Sequence, residues 1–183
     1  MEKGNDMIKR LSREKVYQGA ILDIYKDEML LPDGSREAWD FVSHRMGAAA
    51  IVAVTEDKKI LMVKQYRPAL NRYTLELPAG CRDSLTEDTL LTSQRELREE
   101  TGYISSKWQK LLSLKTTVAF CDESVDVYLA EDIIKEGQQE LDPAEEITFA
   151  LYDSKELLDM IYEGRMQDGK TIAGILAYLN LRG

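Results

Sequence analysis

The sequence predicts an α/β (α+β) fold on a mixed β-sheet, preceded by a small N-terminal β appendage. Two observations carry this. Short apolar runs punctuated by Pro and Gly dominate the first 80 residues, whereas helical spacing is confined to Glu87–Thr101 and the C-terminal end. The 183 residues, 44% hydrophobic and 31% charged, suit one domain with a small appendage.

Residues 1–45 form the predicted appendage and residues 46–183 the main domain. Met1 to Glu14 is charged throughout and holds no secretory apolar core. Ile21 to Leu31 and Arg36 to Ser43, joined by the turn signal Pro32-Asp33-Gly34, read as a strand pair carrying Trp39, Phe41 and Val42. Two strands alone are marginally stable, so the pair must pack on the rest of the chain or on a second subunit. Trp39 and Phe41 are assigned to that packing rather than to stacking on a base.

Gly47 to Val54 and Ile60 to Tyr66, joined by Thr55 to Lys59, read as a buried hairpin, and Thr74 to Leu77 as a short strand stopped by Pro78. Glu87 to Thr101 is helical, with Leu90, Leu97 and Thr101 on one side and Gly102 as the stop. Trp108 to Val118, Val125 to Ala130 and Ile147 to Tyr152 are strands, the last two separated by the acidic loop Glu131 to Glu145. Asp153-Ser-Lys-Glu156 is a capping box opening a helix with Leu157, Leu158, Ile161 and Tyr162 on one face. Thr171 to Leu181 is the final helix.

Several functions are excluded at this level. No apolar run approaches the ~18 residues of a membrane span. The net charge of −9 repels nucleic acid and anionic membranes. Two cysteines, Cys81 and Cys121, make no disulfide framework, and with one histidine, His44, they build no usual zinc site. No G-x-S-x-G elbow accompanies His44. The stretch Gly164 to Thr171 fits the P-loop pattern G-x4-G-K-[ST], but a P-loop follows a buried strand and here an amphipathic helix precedes it. Gly164 is instead expected to end one helix and Thr171 to start the next.

The densest chemical signal is Arg95-Glu96-Leu97-Arg98-Glu99-Glu100-Thr101-Gly102-Tyr103. On a helix, Glu100 lies about 40° to one side of Glu96 and Glu99 about 60° to the other, so three carboxylates share a face near the C-terminus. Like charges at i,i+4 cost roughly 0.2–0.5 kcal/mol and carboxylates there oppose the helix dipole. A hard divalent cation reverses both penalties.

Together with Gly80 and Glu87, this segment resembles the Nudix box, G-x5-E-x7-R-E-U-x-E-E-x-G-U with U a bulky apolar residue. It departs once: six residues, not five, separate Gly80 from Glu87. Val63-Lys-Gln-Tyr-Arg67, Leu75-Glu-Leu-Pro-Ala-Gly80 and Asp168-Gly-Lys-Thr171 are similar to the branch of the family that hydrolyses ADP-ribose and nucleoside diphosphate sugars.

The resemblance implies a Nudix-type α/β/α sandwich and a cytoplasmic homodimer whose residues 1–45 help in dimerisation and substrate binding. It implies Mg²⁺- or Mn²⁺-dependent hydrolysis of a nucleotide sugar, ADP-ribose giving AMP and ribose 5-phosphate, with two or more ions. The metal ligands would be the Ala79 carbonyl, Glu96, Glu99 and Glu100; Arg67 would bind a substrate phosphate. Glu99, Glu100 and Glu123 are the candidate catalytic residues, with Glu123 the proton acceptor by position, although Thr117-Val-Ala-Phe120 stands where the branch often has Ser-Pro-Gly. Gly80, Glu87, Arg95 and Gly102 would be structural. The alternatives are GDP-mannose or another nucleotide as substrate, or a nucleotide-sugar-binding module without catalysis.

Overall fold

The computed structural model describes residues 7–143 and 145–182. Residues 1–6 of the expected appendage, and Ala144 in the acidic loop, lie outside them. The chain forms two compact units, one of Met1–Met46 with Lys115–Glu123, the other of Gly47–Leu114 with Ser124–Gly183.

In the first unit, β1 (Lys9–Gln18), β2 (Leu22–Leu30) and β3 (Arg36–His44) form an antiparallel sheet in that order. The pair β2–β3 follows the expectation, and Gly34 at φ +86° sits in its turn. The strand β1 was not expected: every residue of it is exposed, so Lys9–Gln18 lacks the apolar alternation that marks a strand. It is held by charge, Asp27 accepting from Arg13 Nε and Nη2 at 2.6 Å each and Asp23 from Lys15 Nζ at 2.9 Å. Phe41 packs on Tyr25, ring centroids 6.0 Å apart, beneath the Arg13 guanidinium, while Trp39 is 42% exposed. The segment 115–123 docks on β3, Val42 N–H donating to Phe120 O at 2.7 Å.

In the second unit a mixed sheet runs β12 (Ile147–Tyr152), β5 (Ile60–Arg67), β4 (Ala48–Val54), β10 (Ser124–Glu131), β9 (Lys107–Lys115), and β8 (Tyr103–Ile104) pairs with β11 (Ile134–Lys135) in a separate two-stranded sheet. Strand β10 pairs with β4 in parallel, and the β4–β5 and β5–β12 pairs are antiparallel. The hairpin pairs only over Ala53–Leu61 and Val54–Ile60. Beyond that point β5 pairs with β6 (Arg72–Glu76) and β4 with β7 (Ala79–Cys81). The three-residue β7 is too short for any periodicity to show in sequence.

Alternation along β4 makes the layers. Ala50, Val52 and Val54 point to a core with Leu157, Met166, Ile175 and Tyr178 of the C-terminal segment, while Ile51 and Ala53 point to Leu97 on the opposite face. Helix α1 (Thr89–Thr101) therefore covers one side of the sheet, and α2 (Ser154–Tyr162) with α3 (Gly169–Arg182) covers the other.

Three local readings are corrected. The first helix begins at Thr89, and Glu87 lies in the loop, because Asp88 is the N-cap, its Oδ1 accepting from Leu90 N–H at 2.8 Å. Asp153 is the N-cap of α2 without the side-chain bond of a capping box, and Tyr162 is 79% exposed. The strand expected to reach Val118 ends at Lys115, where the chain passes into the other unit.

Candidate active site

The P-loop-like stretch joins two helices, with no strand leading into it. Gly164, at φ +73°, follows α2, and Asp168 Oδ2 accepts from Thr171 N–H at 3.1 Å as the cap of α3. The site assembles instead where α1 crosses β7. Gly80 leaves room there for the Glu96 carboxylate, which a Cβ would meet at 2.1 Å and force to shift. Glu100 reaches the same strand, its Oε2 accepting from Ala79 N–H at 3.1 Å. Both carboxylates are buried, Glu96 to 9% exposure and Glu100 to 3%.

The electrostatics of the pair are unfavourable as they stand. Burial, joined by the charge of Glu96, pushes the Glu100 carboxyl up to about 8. Burial pushes Glu96 up to about 7 against the pull of Arg95. Among the described residues no ion pair reaches Glu100. Arg95 Nη1 bridges Glu96 Oε1 at 2.7 Å and Glu99 Oε2 at 3.0 Å, and its Nη2 donates to Cys81 O at 2.9 Å. Its Nε lies 3.4 Å from Asp83 and 3.6 Å from Glu87. Glu87 Oε2 in turn accepts from Asp83 N–H at 2.6 Å, closing the loop that carries the extra residue.

With Arg95 in this position, no three His, Cys, Asp or Glu side chains among the described residues are gathered around one point at ligating distance. The donor set nonetheless fits a hard divalent cation: two desolvated carboxylates beside a glycine, one of them without a cationic partner.

The C-terminal end of α1 is fixed from outside. Gly102 ends it at φ +69°, and the orphan carbonyls of Glu99, Glu100 and Thr101 accept from Glu140 N–H (2.8 Å), Gln139 Nε2 (2.7 Å) and Lys135 Nζ (2.6 Å). Gly102 O accepts from Glu136 and Gly137 N–H at 2.9 and 3.1 Å. The acidic loop thus caps the helix. It also brings a carboxylate that the sequence reading missed, Glu145, whose charge raises the carboxyls of both Glu96 and Glu100. No spacing pattern ties Glu145 to the box; only the folded loop does.

Arg67, at the end of β5, is not a free surface arginine. Its Nε and Nη2 bond the buried Glu76 at 2.8 and 2.6 Å. Glu123 belongs to the first unit, where its Oε2 accepts from Thr116 Oγ1 at 2.7 Å and its Oε1 lies 3.7 Å from His44 Nδ1. A cleft of about 640 Å³ opens along α1 past Gln94, Arg98 and Trp108, touching Arg95 and Glu99 but not Glu96 or Glu100.

The NUDIX domain matches residues 44–174. The chain belongs to the Nudix family. It is 36% identical over 175 residues to an ADP-ribose pyrophosphatase of Bacillus subtilis, covering 95% of this chain and 93% of the relative. It is 39% identical over 168 residues to an ADP-ribose pyrophosphatase of Mycobacterium tuberculosis, covering 91% and 81%. It is 35% identical over 175 residues to a methanol dehydrogenase activator of Bacillus methanolicus, covering 95% and 93%. Among solved structures, an ADP compounds hydrolase superposes with a TM-score of 0.84 at 16% identity, covering 95% of this chain and 93% of that one, which shows the Nudix fold. This Nudix chain is thus an enzyme of the hydrolase class, and its family depends in general on divalent cations. Among the described residues no helix is long and apolar enough to cross a membrane.

Proposed function

We propose that this Nudix hydrolase cleaves the pyrophosphate bond of a nucleoside diphosphate sugar, converting ADP-ribose to AMP and ribose 5-phosphate. The observation that carries the reading is the buried pair Glu96 and Glu100 against Gly80, two carboxylates held desolvated where burial alone is costly. The ADP-ribose pyrophosphatases of two bacteria, each matched over more than nine-tenths of this chain, supply the substrate class.

The Ala79 carbonyl, Glu96, Glu99 and Glu100 would hold two or more Mg²⁺ or Mn²⁺ ions. Such ions supply Lewis acidity toward the diphosphate and lower the pKa of water at neutral pH. Arg67 presents guanidinium donors to a phosphate oxygen. Arg95 keeps the box loop in place through Cys81, Asp83 and Glu87. A carboxylate accepts the proton of the attacking water, and two candidates stand: Glu123, by its position in sequence, and Glu145, by its charge on Glu96 and Glu100.

The N-terminal segment would join two copies into a homodimer and contribute to substrate binding. Ile8, Leu11, Val16 and Tyr17 expose 43–56% of their surface on β1 and just before it, an apolar display suited to a like partner. The net charge of −9 fits a cytoplasmic protein that binds neither nucleic acid nor membrane.

The test is chromatographic resolution of products from ADP-ribose, GDP-mannose, ADP-glucose and ATP, with Mg²⁺ and with chelator. AMP released from ADP-ribose only with metal, and lost in Glu100→Gln, is the expected result. Preference for GDP-mannose moves the substrate, and thermal stabilisation by a nucleotide sugar without turnover makes the chain a binding module. Between the bases, the true one loses at least about 100-fold in kcat on replacement by Gln, so Glu123→Gln and Glu145→Gln assayed side by side decide. Light scattering at twice the chain mass supports the dimer.

A further inference from the structure

Glu76, the last residue of β6, is 2% exposed and accepts four hydrogen bonds. They come from Arg67 Nε (2.8 Å) and Nη2 (2.6 Å), Thr74 Oγ1 (2.6 Å) and Lys170 Nζ (2.5 Å). Lys170, in the first turn of α3, also donates to Asp168 Oδ2 at 2.9 Å. Next to it, Thr171 Oγ1 accepts from Leu77 N–H at 2.9 Å, so the start of α3 is fastened to the strand end that leads into Ala79.

Two features ask for more than a structural role. A bidentate arginine and a hydroxyl already satisfy three of the lone-pair sites of Glu76, yet a lysine with 15% side-chain exposure is desolvated to reach the fourth. Arg67, meanwhile, spends only one edge of its fork. Its Nη1 has no protein acceptor among the described residues, its side chain is 40% exposed, and its charge is felt by Glu100.

We propose that Lys170 is a positioning residue for substrate binding: by sharing the charge of Glu76 it leaves Arg67 oriented by that carboxylate but not quenched by it, with Nη1 directed to a substrate phosphate oxygen. Glu76, Asp168, Arg67 and Lys170 sum to zero charge. Without Lys170 the cluster carries one net negative charge where an anionic diphosphate must approach. The proposal rests on the pyrophosphatase reading above.

The experiment is steady-state kinetics on ADP-ribose with Mg²⁺ for the wild type, Lys170→Met, Lys170→Arg, Arg67→Ala and the double variant Arg67→Ala/Lys170→Met, with folding checked by circular dichroism. Lys170→Met is expected to raise KM by about tenfold, as for one lost charge interaction, with the smaller part of the loss in kcat. Lys170→Arg restores KM to within about threefold, and Lys170→Met has little further effect once Arg67 is gone, because the lysine acts through it. Should Lys170→Met not fold, Lys170→Gln carries the same comparison. An unchanged KM in an active enzyme overturns the proposal, as does an equal KM rise in the Arg67→Ala background or a failure of Lys170→Arg to rescue. Absence of turnover by the wild type on every nucleotide sugar overturns the functional reading and this proposal together.

Discussion

Replacing Glu100 by Gln is expected to abolish turnover and, at alkaline pH, to stabilise the metal-free protein. Glu100 sits at 3% exposure, and burial, then the charge of Glu96, lift its carboxyl from the ordinary 4.5 to about 8. A carboxyl whose folded pKa is raised contributes stability that is full below the unfolded value and is lost as pH rises through the folded one. Between pH 4.5 and about 8 the metal-free wild type therefore loses stability, on the order of 2–5 kcal/mol for that interval. Gln does not titrate, and its amide oxygen still faces Ala79 N–H. In chelator at pH 8.5 the variant should melt at least about 5 °C above the wild type, given roughly 2–4 °C per kcal/mol at this chain length. At pH 5 the two should nearly coincide. Saturating Mg²⁺ at pH 8.5 reverses the order, because the wild type binds the ion and the variant binds it weakly. Differential scanning calorimetry of both proteins at both pH values, with and without metal, reads the melting difference under each condition. A melting difference in chelator that does not grow with pH refutes the assignment of Glu100 as a buried, unneutralised carboxylate.

Gly80→Ala drives a methyl into the Glu96 carboxylate, so activity is expected to fall by at least about 100-fold, as for a misplacement near 1 Å; the kinetic assay at saturating metal checks it. Asp168→Ala removes the N-cap acceptor of α3 and one acceptor of Lys170, costing about 1 kcal/mol and lowering the melting temperature by roughly 2–4 °C. Lys135→Met strips the cation from the Thr101 carbonyl at the end of α1, and a loss of about 1 kcal/mol, measured by urea denaturation, is expected.

What the sequence discloses and what it hides follow from the range of the forces involved. The helix α1, its Gly102 stop and the shared face of Glu96, Glu99 and Glu100 are local, set by 3.6-residue periodicity and the left-handed cap, and they are legible. The hairpin strands β4 and β5 are legible from the apolar runs Ala48–Val54 and residues 60–63, whereas the three-residue β7 of the same sheet is not. Strand β1 is not, because charge pairs with β2 hold it and exposed charged residues leave no alternation. Nor is the Glu76–Lys170 contact, which spans 94 residues, or the place of Glu145, which depends on how the acidic loop wraps α1. Arg67 illustrates the boundary: its position before a turn is visible, but the carboxylate that fixes its orientation lies on the neighbouring strand and is seen only in the paired register Val63–Glu76.

The helix α1, on which the proposed metal ligands lie, is a poor helix by its own electrostatics, with three carboxylates toward its negative end, so its stability must come from elsewhere. At the N-terminal end Asp88 caps it, and Thr89 Oγ1 donates to Asp126 of β10 at 2.7 Å. At the C-terminal end the segment Lys135–Glu140 satisfies the carbonyls of Glu99, Glu100 and Thr101, with a lysine supplying the positive charge that the dipole calls for. Between the two ends Leu97 is fully buried against the sheet. Each of these contacts is made by backbone or by a side chain other than Glu96 and Glu100. The fold thereby holds α1 in place while Glu96 shares a single guanidinium with Glu99 and Glu100 stays buried with no ion pair among the described residues, the condition under which a divalent cation gains most by binding.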